Sequence, residues 1–392
     1  MTMTLLSPAI ERIAASPTTA MTDRATQLRE MGRDIISLSV GEPDFPTPPH
    51  VIEAAKAALD AGLTRYTPVT GTAALKRAAA LHFARDLGMA ATPADIIVTA
   101  GGKQAIFEAL AATVAEGDEV IVPAPWWVSY PQMVQFAGGT VVPLQTRAQD
   151  AFHFDPAALE ALITPRTKWL LLNSPGNPTG AVYPAAMLEE IGEVLRRHPQ
   201  VLVLSDDIYA PLNYTGAPHA TLAALCPDLG PRVLTVSGVS KSHAMTGFRI
   251  GVATGPQWLI EAMGRLQSNA CGNPASISQA AAVAAFEGPQ DFLGDWRALF
   301  RRRRDLVVEA INAVPGLSTP VPEGAFYCLV DALPLMERFG GEDTNLALHL
   351  LDHGVAVVAA SAFGGQDGFR ISFAADEQVL LDAMARIAQA LA

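Results

Sequence analysis

Lys241 and Arg249 are the two residues whose types and spacing most directly indicate chemistry. They lie eight residues apart in a stretch of mostly small residues, 236–251. A lysine becomes a nucleophile toward a carbonyl when burial beside another cation lowers the pKa of its amine, and an arginine binds phosphate through paired N–H donors. The stretch therefore suggests a lysine that binds an aldehyde cofactor and an arginine that binds its phosphate. On spacing alone, a lysine in a solvated loop is the favoured interpretation, and other segments of the chain are what argue against it.

The chain has five lysines, and most of them lie in ordinary settings. Lys56 and Lys76 occur in alanine-rich helical patterns, where a solvated helix face is expected, and Lys168 begins an apolar run. Lys241 alone follows a predicted strand, residues 232–236, and then a flexible Ser/Gly turn. Such a turn at the end of a strand would present an amine to a pocket.

A second segment, residues 99–104, has the features of an anion-binding turn. Gly101, Gly102 and Lys103 lie between a predicted strand and a predicted helix. Backbone N–H groups at a helix start are free to bind phosphate. Two glycines are a weak signal by themselves, and the segment matches neither a Walker loop nor the G-x-G-x-x-G turn of nicotinamide-binding proteins.

Two further loops supply partners for a flat heteroaromatic ring. Asn177 lies between two prolines in residues 173–180, which fix its amide with little entropy left to lose. Asp206 ends an apolar strand, residues 201–204. A carboxylate there needs a partner that offsets its desolvation, and a protonated ring nitrogen would serve, although an Asp that caps the next helix fits equally well.

Aromatic and cationic side chains complete the candidate site. Trp127 lies in the aromatic segment 125–131, where it either packs in the core or stacks on a flat cofactor. Arg370 alternates with apolar neighbours in residues 368–373. Its guanidinium is suited to a substrate carboxylate, and a structural ion pair is the alternative.

Composition excludes several classes of partner. The net charge of −12 and the pI of about 5.1 argue against nucleic acid. No apolar run reaches the length of a membrane span, and the N-terminus lacks the pattern of a signal peptide. Three widely spaced cysteines indicate no disulfide framework and favour a reducing cytoplasm. His349 and His353 at helical spacing lack a third ligand, so we expect no metal site.

The pattern of apolar runs predicts an α/β protein. Runs that alternate with helical segments indicate a mainly parallel seven-stranded sheet between helices, which forms a large domain at residues 45–295. Residues 296–392, joined by residues 1–44, predict a smaller α+β domain. Ligands bind beyond the carboxyl ends of such strands, where the loops described above lie. The predicted strands of the sheet are residues 96–98, 119–122, 139–144, 168–173, 201–205, 233–236 and 250–253.

The order of these motifs resembles that of class I aminotransferases that use pyridoxal 5'-phosphate. The resemblance runs from about residue 8 to the C-terminus and is most evident for the bacterial and plastid subgroup that acts on aspartate and prephenate. It implies the fold type I architecture of pyridoxal-phosphate-dependent transferases. The residues that carry it are 41–45, 66–68, 177–180, 206–209, 240–241, 247–251, 324–327 and 369–372.

The resemblance implies a role for each residue that would contact the cofactor ring. Lys241 would bind the aldehyde carbon covalently and, once freed, would move the proton of the substrate α-carbon. Asp206 would keep the ring nitrogen protonated. Tyr209 and Asn177 would hydrogen-bond to the phenolic oxygen, and Trp127 would stack on the ring.

The resemblance also implies how the phosphate and the substrate are held. The phosphate would be bound by Arg249, Ser240 and the turn 101–103, with Tyr66 reaching in from a second subunit, so a homodimer with shared active sites is expected. Arg370 would bind the substrate α-carboxylate, and three further groups would contact the substrate: Asn177, Trp127 and the backbone of Gly41.

Substrate preference is the least determined property. Where animal-type aspartate enzymes use a partner-subunit arginine, this chain has Ser268, and Lys103 would bind a distal carboxylate instead. That favours a ping-pong exchange between aspartate or glutamate and a 2-oxo acid, whereas Trp126 leaves aromatic or apolar amino acids and prephenate open. A lyase on the same fold is a further alternative. His243 we interpret as a packing variant.

Overall fold

The computed structural model describes residues 5–392, which form a large mixed sheet flanked by helices and a smaller sheet region near the C-terminus. The described strands are β1 (Ile36–Ser37), β2 (Ile96–Thr99), β3 (Glu119–Ala124), β4 (Thr140–Gln145), β5 (Thr167–Asn173), β6 (Leu202–Asp206), β7 (Val233–Gly238), β8 (Gly251–Thr254), β9 (Tyr327–Asp331), β10 (Val355–Ala356), β11 (Val358–Ala359) and β12 (Gly368–Ser372).

The helices alternate with these strands through most of the chain. The described α-helices are α1 (Pro8–Glu11), α2 (Pro17–Glu30), α3 (Pro49–Asp60), α4 (Ala73–Leu87), α5 (Gly102–Thr113), α6 (Ser129–Ala137), α7 (Pro156–Leu162), α8 (Ala185–Arg197), α9 (Leu222–Leu225), α10 (Gln257–Ala270), α11 (Ser276–Glu287), α12 (Phe292–Asn312), α13 (Asp343–Asp352) and α14 (Glu377–Leu391). No helix within residues 5–392 is long and apolar enough to cross a membrane.

All seven predicted strands lie in one sheet, in the order β2-β8-β7-β6-β5-β3-β4. Only β8 runs antiparallel to its neighbours, and the other pairs are parallel. The prediction of a mainly parallel seven-stranded sheet is therefore confirmed. The inner strands are mostly apolar because both faces of the sheet are covered.

Strand β5 shows how one sequence covers both faces. Trp169 and Leu171 pack with α5 and α6 on one side, whereas Leu170 and Leu172 pack with α7 and α8 on the other. Successive side chains of a strand point to opposite faces, so an uninterrupted apolar run supplies two cores at once. This packing fixes the carboxyl ends of β5, β6 and β7, where the candidate site residues begin.

The two smaller sheets join the start of the chain to its C-terminal part. Strand β1 pairs with β10 over two residues only. Leu38 explains the short pairing, because its N–H donates to Ala356 while its carbonyl accepts from Ser372, next to a different strand. The chain thus passes from β10 to β12, and β12 pairs antiparallel with β9 and β11.

Candidate active site

A cavity of about 370 Å³ opens at the carboxyl ends of the central strands. The predicted site residues that line it are Gly41, Gly102, Lys103, Trp127, Asn177, Asp206, Tyr209, Ser240, Lys241, Arg249 and Arg370. Gly101 lies directly behind the cavity, where an added Cβ would collide with the Arg249 guanidinium. Tyr66 is 98% exposed and does not line the cavity, a placement that suits a residue used by another subunit.

Lys241 carries the amine that faces this cavity. It follows β7, and its Nζ donates to the carbonyl oxygen of Gly41. Burial, together with the positive charges of Arg249 and Arg370, lowers the pKa of the amine to about 8 against the opposing effect of Glu42. A large fraction of the amine is therefore neutral near pH 8, as a nucleophile requires.

Asp206 ends β6 and faces the same cavity from a buried position. Its Oδ2 accepts a 2.6 Å hydrogen bond from the Tyr130 hydroxyl, and its Oδ1 accepts from the N–H of Ile208 at 3.3 Å. Burial raises the pKa of the carboxyl to about 6, whereas the hydrogen bond from Tyr130 acts in the opposite direction. The short helical turn that follows, Ala210–Leu212, has Tyr209 at its N-cap position, so Asp206 does not cap it. The buried Asp206 carboxylate therefore calls for a cationic partner in the cavity.

Tyr130 is a site residue that sequence reasoning missed. It lies within the predicted aromatic segment, but no role was assigned to it. The available signal was its spacing, because it follows Trp127 by three residues and the two rings pack edge to face at 5.3 Å. What the spacing does not reveal is the contact with Asp206, which is distant in sequence.

Tyr209 is held by a second tyrosine that sequence reasoning also missed. Its hydroxyl lies 2.9 Å from that of Tyr327 in β9. Burial raises the pKa of Tyr209 well above its ordinary value. Gly41 is required beside this pair, because a Cβ at residue 41 would collide with the Tyr327 hydroxyl.

Arg370 in β12 is buried and lines the same cavity. Its Nη1 donates to Asn177 Oδ1 at 3.1 Å and its Nη2 to the carbonyl of Ser39 at 2.5 Å, but its Nε has no partner within residues 5–392. The guanidinium lies 4.6 Å from the Tyr327 ring and 4.8 Å from the Phe363 ring. No described carboxylate pairs with it, so the structural ion pair considered above is absent and an anionic ligand fits.

The turn before α5 forms an anion site together with Arg249. Gly101 has a φ of 89°, which suits glycine, and α5 begins at Gly102 with free N–H groups. Arg249 donates from Nη2 to the carbonyl of Ala100 at 3.1 Å and from Nη1 to that of Thr246 at 3.0 Å. The Arg249 guanidinium thus lies beside the N-terminus of α5, and such a combination of donors binds phosphate.

Lys103 and Trp127 line the same cavity and contact each other. The Lys103 ammonium lies 4.9 Å from the centre of the Trp127 ring. Burial and then the charge of Arg249 lower the pKa of Lys103. Trp126, by contrast, packs against Gly364 and does not line the cavity. Its ring lines a smaller pocket together with Tyr130 and Asn177. That Trp126 leaves room for aromatic or apolar amino acids stays a prediction.

His243 is buried behind the Lys241 loop, where its surroundings agree with a packing role. Its Nδ1 lies 2.8 Å from Ser242 Oγ, and its ring packs edge to face on Phe292 at 5.3 Å. Burial lowers the pKa of the imidazole to about 4. A neutral ring at neutral pH and no place in the cavity lining agree with that interpretation.

Comparison with known proteins decides the family. Residues 33–387 match the model of the family described as Aminotransferase class I and II. The chain belongs to this family. As an aminotransferase, it moves an amino group between an amino acid and a 2-oxo acid, and its cofactor is pyridoxal 5'-phosphate.

Individual relatives of this aminotransferase match over nearly their full length. The aspartate/prephenate aminotransferase of Cereibacter sphaeroides is 49% identical, with 98% of each chain covered. The crystal structure of the Rhizobium meliloti aspartate aminotransferase superimposes with a TM-score of 0.94 at 45% identity, covering 99% of both chains. The Thermus thermophilus aspartate aminotransferase with maleate superimposes with a TM-score of 0.94 at 42% identity, covering 99% of this chain and 100% of that one.

The donor groups of the aminotransferase site fit pyridoxal 5'-phosphate. The cofactor needs an amine for its aldehyde, an anion partner for its ring N–H and cationic and N–H donors for its phosphate. Lys241 supplies the amine, whose pKa is lowered. Asp206 supplies the anion for the ring N–H from a buried position that favours a cationic neighbour. The turn before α5 and Arg249 supply the N–H and cationic donors for the phosphate.

Proposed function

We propose that this aminotransferase takes an acidic amino acid, aspartate or glutamate, as amino donor. The observation that carries the proposal is the presence of two cationic side chains, Arg370 and Lys103, on the lining of one cavity. Neither has an ion-pair partner within residues 5–392, and a dicarboxylic amino acid offers one carboxylate to each. Relatives named aspartate aminotransferase, one of them solved with the dicarboxylate maleate, support the same substrate class.

The α-carboxylate is assigned to Arg370. Its guanidinium is buried and already fixed by Asn177 and the carbonyl of Ser39, so little entropy remains to be lost on binding. The backbone of Gly41 lies on the same cavity lining as Arg370. Lys103 beside Trp127 is assigned to the distal carboxylate.

Proton movement at the substrate α-carbon is assigned to Lys241. When bound, pyridoxal 5'-phosphate supplies an electron-withdrawing ring that stabilises negative charge at this carbon. Burial and its cationic neighbours leave a large neutral fraction of the Lys241 amine near pH 8, so it can accept the proton and return it at another position. Its placement at the end of β7 holds it on the cavity lining.

Four further residues are assigned to the cofactor ring. Asp206 would keep the ring nitrogen protonated, oriented by the hydrogen bond from Tyr130. Tyr209 and Asn177 would hydrogen-bond to the phenolic oxygen, and Trp127 would stack on the ring face. All four line the same cavity.

The phosphate is assigned to Arg249, Ser240 and the turn 101–103. Tyr66 would complete this site from a second subunit, which is supported by its nearly full exposure on the single chain. We therefore propose a homodimer with shared active sites. We also propose a cytoplasmic location, which the three unpaired cysteines support.

We also propose two domains. The large domain comprises residues 45–295, and the small domain comprises residues 1–44 together with residues 296–392. The support for this division is the separation of the apolar clusters. One cluster joins Leu38 to residues of α12, α13 and α14, whereas two others lie on the two faces of the large sheet. Tyr209 and Leu212 also contact the first cluster, so the active site lies where the two parts meet.

Prephenate is a second candidate substrate of the acceptor side. Its two carboxylates suit the same pair of cations, and a relative 49% identical carries the name aspartate/prephenate aminotransferase.

One experiment separates the candidates: purified enzyme with pyridoxal 5'-phosphate is assayed with a panel of amino acids against 2-oxoglutarate, oxaloacetate, pyruvate and prephenate. We expect aspartate and glutamate to give the highest kcat/KM. A preference for apolar donors would contradict the proposal, and release of ammonia and pyruvate without an acceptor would indicate a lyase.

A further inference from the structure

Glu108 is a buried carboxyl in α5 that the proposed mechanism does not use. It is only 1% exposed. Its Oε1 accepts a 2.6 Å hydrogen bond from Gln104 Nε2, but its Oε2 has no partner within the described chain. It forms no ion pair with a described lysine or arginine. Burial therefore dominates and raises its pKa to about 7, with the Gln104 hydrogen bond acting against that rise.

A chain of hydrogen bonds connects this carboxyl to the anion site. The Gln104 side chain that donates to Glu108 also accepts, through its Oε1, a 2.7 Å hydrogen bond from the N–H of Ala100. The carbonyl of Ala100 in turn accepts from Arg249 Nη2 at 3.1 Å. Gln104 thus holds the turn on one side while Arg249 holds it on the other.

Few other groups act on this carboxyl. Helix α10 packs against α5, and its C-terminal neighbour Cys271 places its Sγ 2.7 Å from Gln104 Nε2. Burial, and then the nearby charge of Glu108, raise the pKa of that thiol, so Cys271 is protonated near neutral pH and adds no charge. On α5 itself, Lys103 and the proposed phosphate lie toward the start of the helix, on the far side of Gln104.

We propose that Gln104 is a positioning residue for the phosphate-binding turn, and that loss of the Glu108 proton weakens the binding of phosphate esters at this turn. The inference rests on the phosphate site assigned above. Glu108 lies six residues beyond Gly102, or roughly 9 Å along the helix axis. At that separation an ionised carboxylate repels a phosphate enough to weaken its binding about fivefold. Reciprocally, a bound phosphate favours the protonated carboxyl.

The test measures equilibrium binding of pyridoxal 5'-phosphate to the cofactor-free protein at pH 6 and at pH 8, by the change in protein fluorescence. We expect Glu108→Gln to bind about fivefold more tightly than wild type at pH 8 and equally at pH 6, where the wild-type carboxyl is protonated. Glu108→Asn removes the same charge and should behave alike. Glu116→Gln, an exposed change just beyond α5, should match wild type at both pH values.

Pyridoxal, which lacks the phosphate, is the matched ligand control. Its affinity should be the same for wild type and Glu108→Gln at both pH values. Equal gains for pyridoxal and its phosphate, or no gain for either at pH 8, would overturn the inference. Arg249→Gln tests the underlying assignment separately: unchanged affinity for the phosphate ester in that variant would mean that the phosphate site is elsewhere.

Gln104→Leu tests the positioning role. It removes the acceptor of the Ala100 N–H without changing charge, so we expect about tenfold weaker binding of the phosphate ester at both pH values and no effect on pyridoxal. Wild-type affinity in Gln104→Leu would refute the positioning role.

Discussion

The hydroxyl of Tyr130 donates a 2.6 Å hydrogen bond to Oδ2 of Asp206, so the carboxylate at the end of β6 is held by a side chain from α6. Both groups are buried. Because the bond stabilises the ionised carboxylate, it keeps the pKa of Asp206 from rising further above about 6.

We expect Tyr130→Phe to raise the pKa of Asp206 and so to lower kcat/KM most strongly on the acid side. A rise of the Asp206 pKa by one pH unit, from about 6, corresponds to about a threefold loss near pH 6.5 and to nearly tenfold at about pH 5, with recovery toward pH 8.5. The pH profile of kcat/KM checks this. Tyr183→Phe removes a buried hydroxyl that does not hydrogen-bond to Asp206 and should leave the profile unchanged. A uniform loss at all pH values in Tyr130→Phe would contradict the prediction.

Replacement of Lys241 by Ala should abolish turnover while pyridoxal 5'-phosphate still binds. The Arg249 and Asp206 contacts remain, but no amine is left to move the α-proton, so kcat should fall by at least about a thousandfold. Single-turnover absorbance with aspartate measures the loss. Lys168→Ala, at the start of β5, is the matched control and should be fully active. Substantial activity in Lys241→Ala would mean that another group performs the proton transfer.

The reaction of the Lys241 amine with an aldehyde should depend on pH in a defined direction. The folded pKa is lowered to about 8, so the neutral amine increases as pH rises through 8 and then reaches a plateau. The rate at which cofactor-free protein captures pyridoxal, followed by absorbance from pH 6 to 10, checks this. Arg249→Gln removes a cation that lowers the pKa, so its midpoint should move to higher pH. An unchanged midpoint in that variant would contradict the electrostatic account.

Arg370→Gln should raise KM for the amino acid by about a hundredfold, because a charged, paired contact to the α-carboxylate is lost. Arg370→Lys keeps the charge but not the planar fork, and we expect an intermediate loss. Steady-state kinetics with aspartate, together with thermal unfolding to check the fold, measure both variants. If Arg370→Gln slows the reaction of an aspartate analogue without the α-carboxylate as much as it slows the reaction of aspartate, Arg370 has another role.

Lys103→Met should change donor preference more than overall activity. We expect kcat/KM for aspartate to fall about fiftyfold and that for alanine to change by less than about threefold, because only aspartate offers a second carboxylate. Trp126→Phe is the control, since Trp126 does not line the cavity, and it should leave the ratio unchanged. An equal loss for both donors in Lys103→Met would indicate that Lys103 serves the phosphate alone.

The sequence was sufficient for the sheet and for most of the side chains at its edge. An apolar run such as 168–173 predicts a strand covered on both faces, and residues that directly follow parallel strands must meet at one edge. Asp206, Lys241 and the 101–103 turn were therefore placed correctly by strand position alone. The motifs that resemble the aminotransferase family added the identity of the cofactor.

Only the tertiary structure decided which side chains support these residues. Tyr130 and Asp206 are 76 residues apart, and Tyr209 and Tyr327 are 118 apart. Such contacts depend on how α6 and β9 pack against the large sheet, which no local pattern encodes. Trp126 shows the same limit: it adjoins a lining residue, yet the direction of the backbone turns its ring onto Gly364. Local sequence determines strand ends and turns, whereas packing between distant elements determines the partners and the burial that set each pKa.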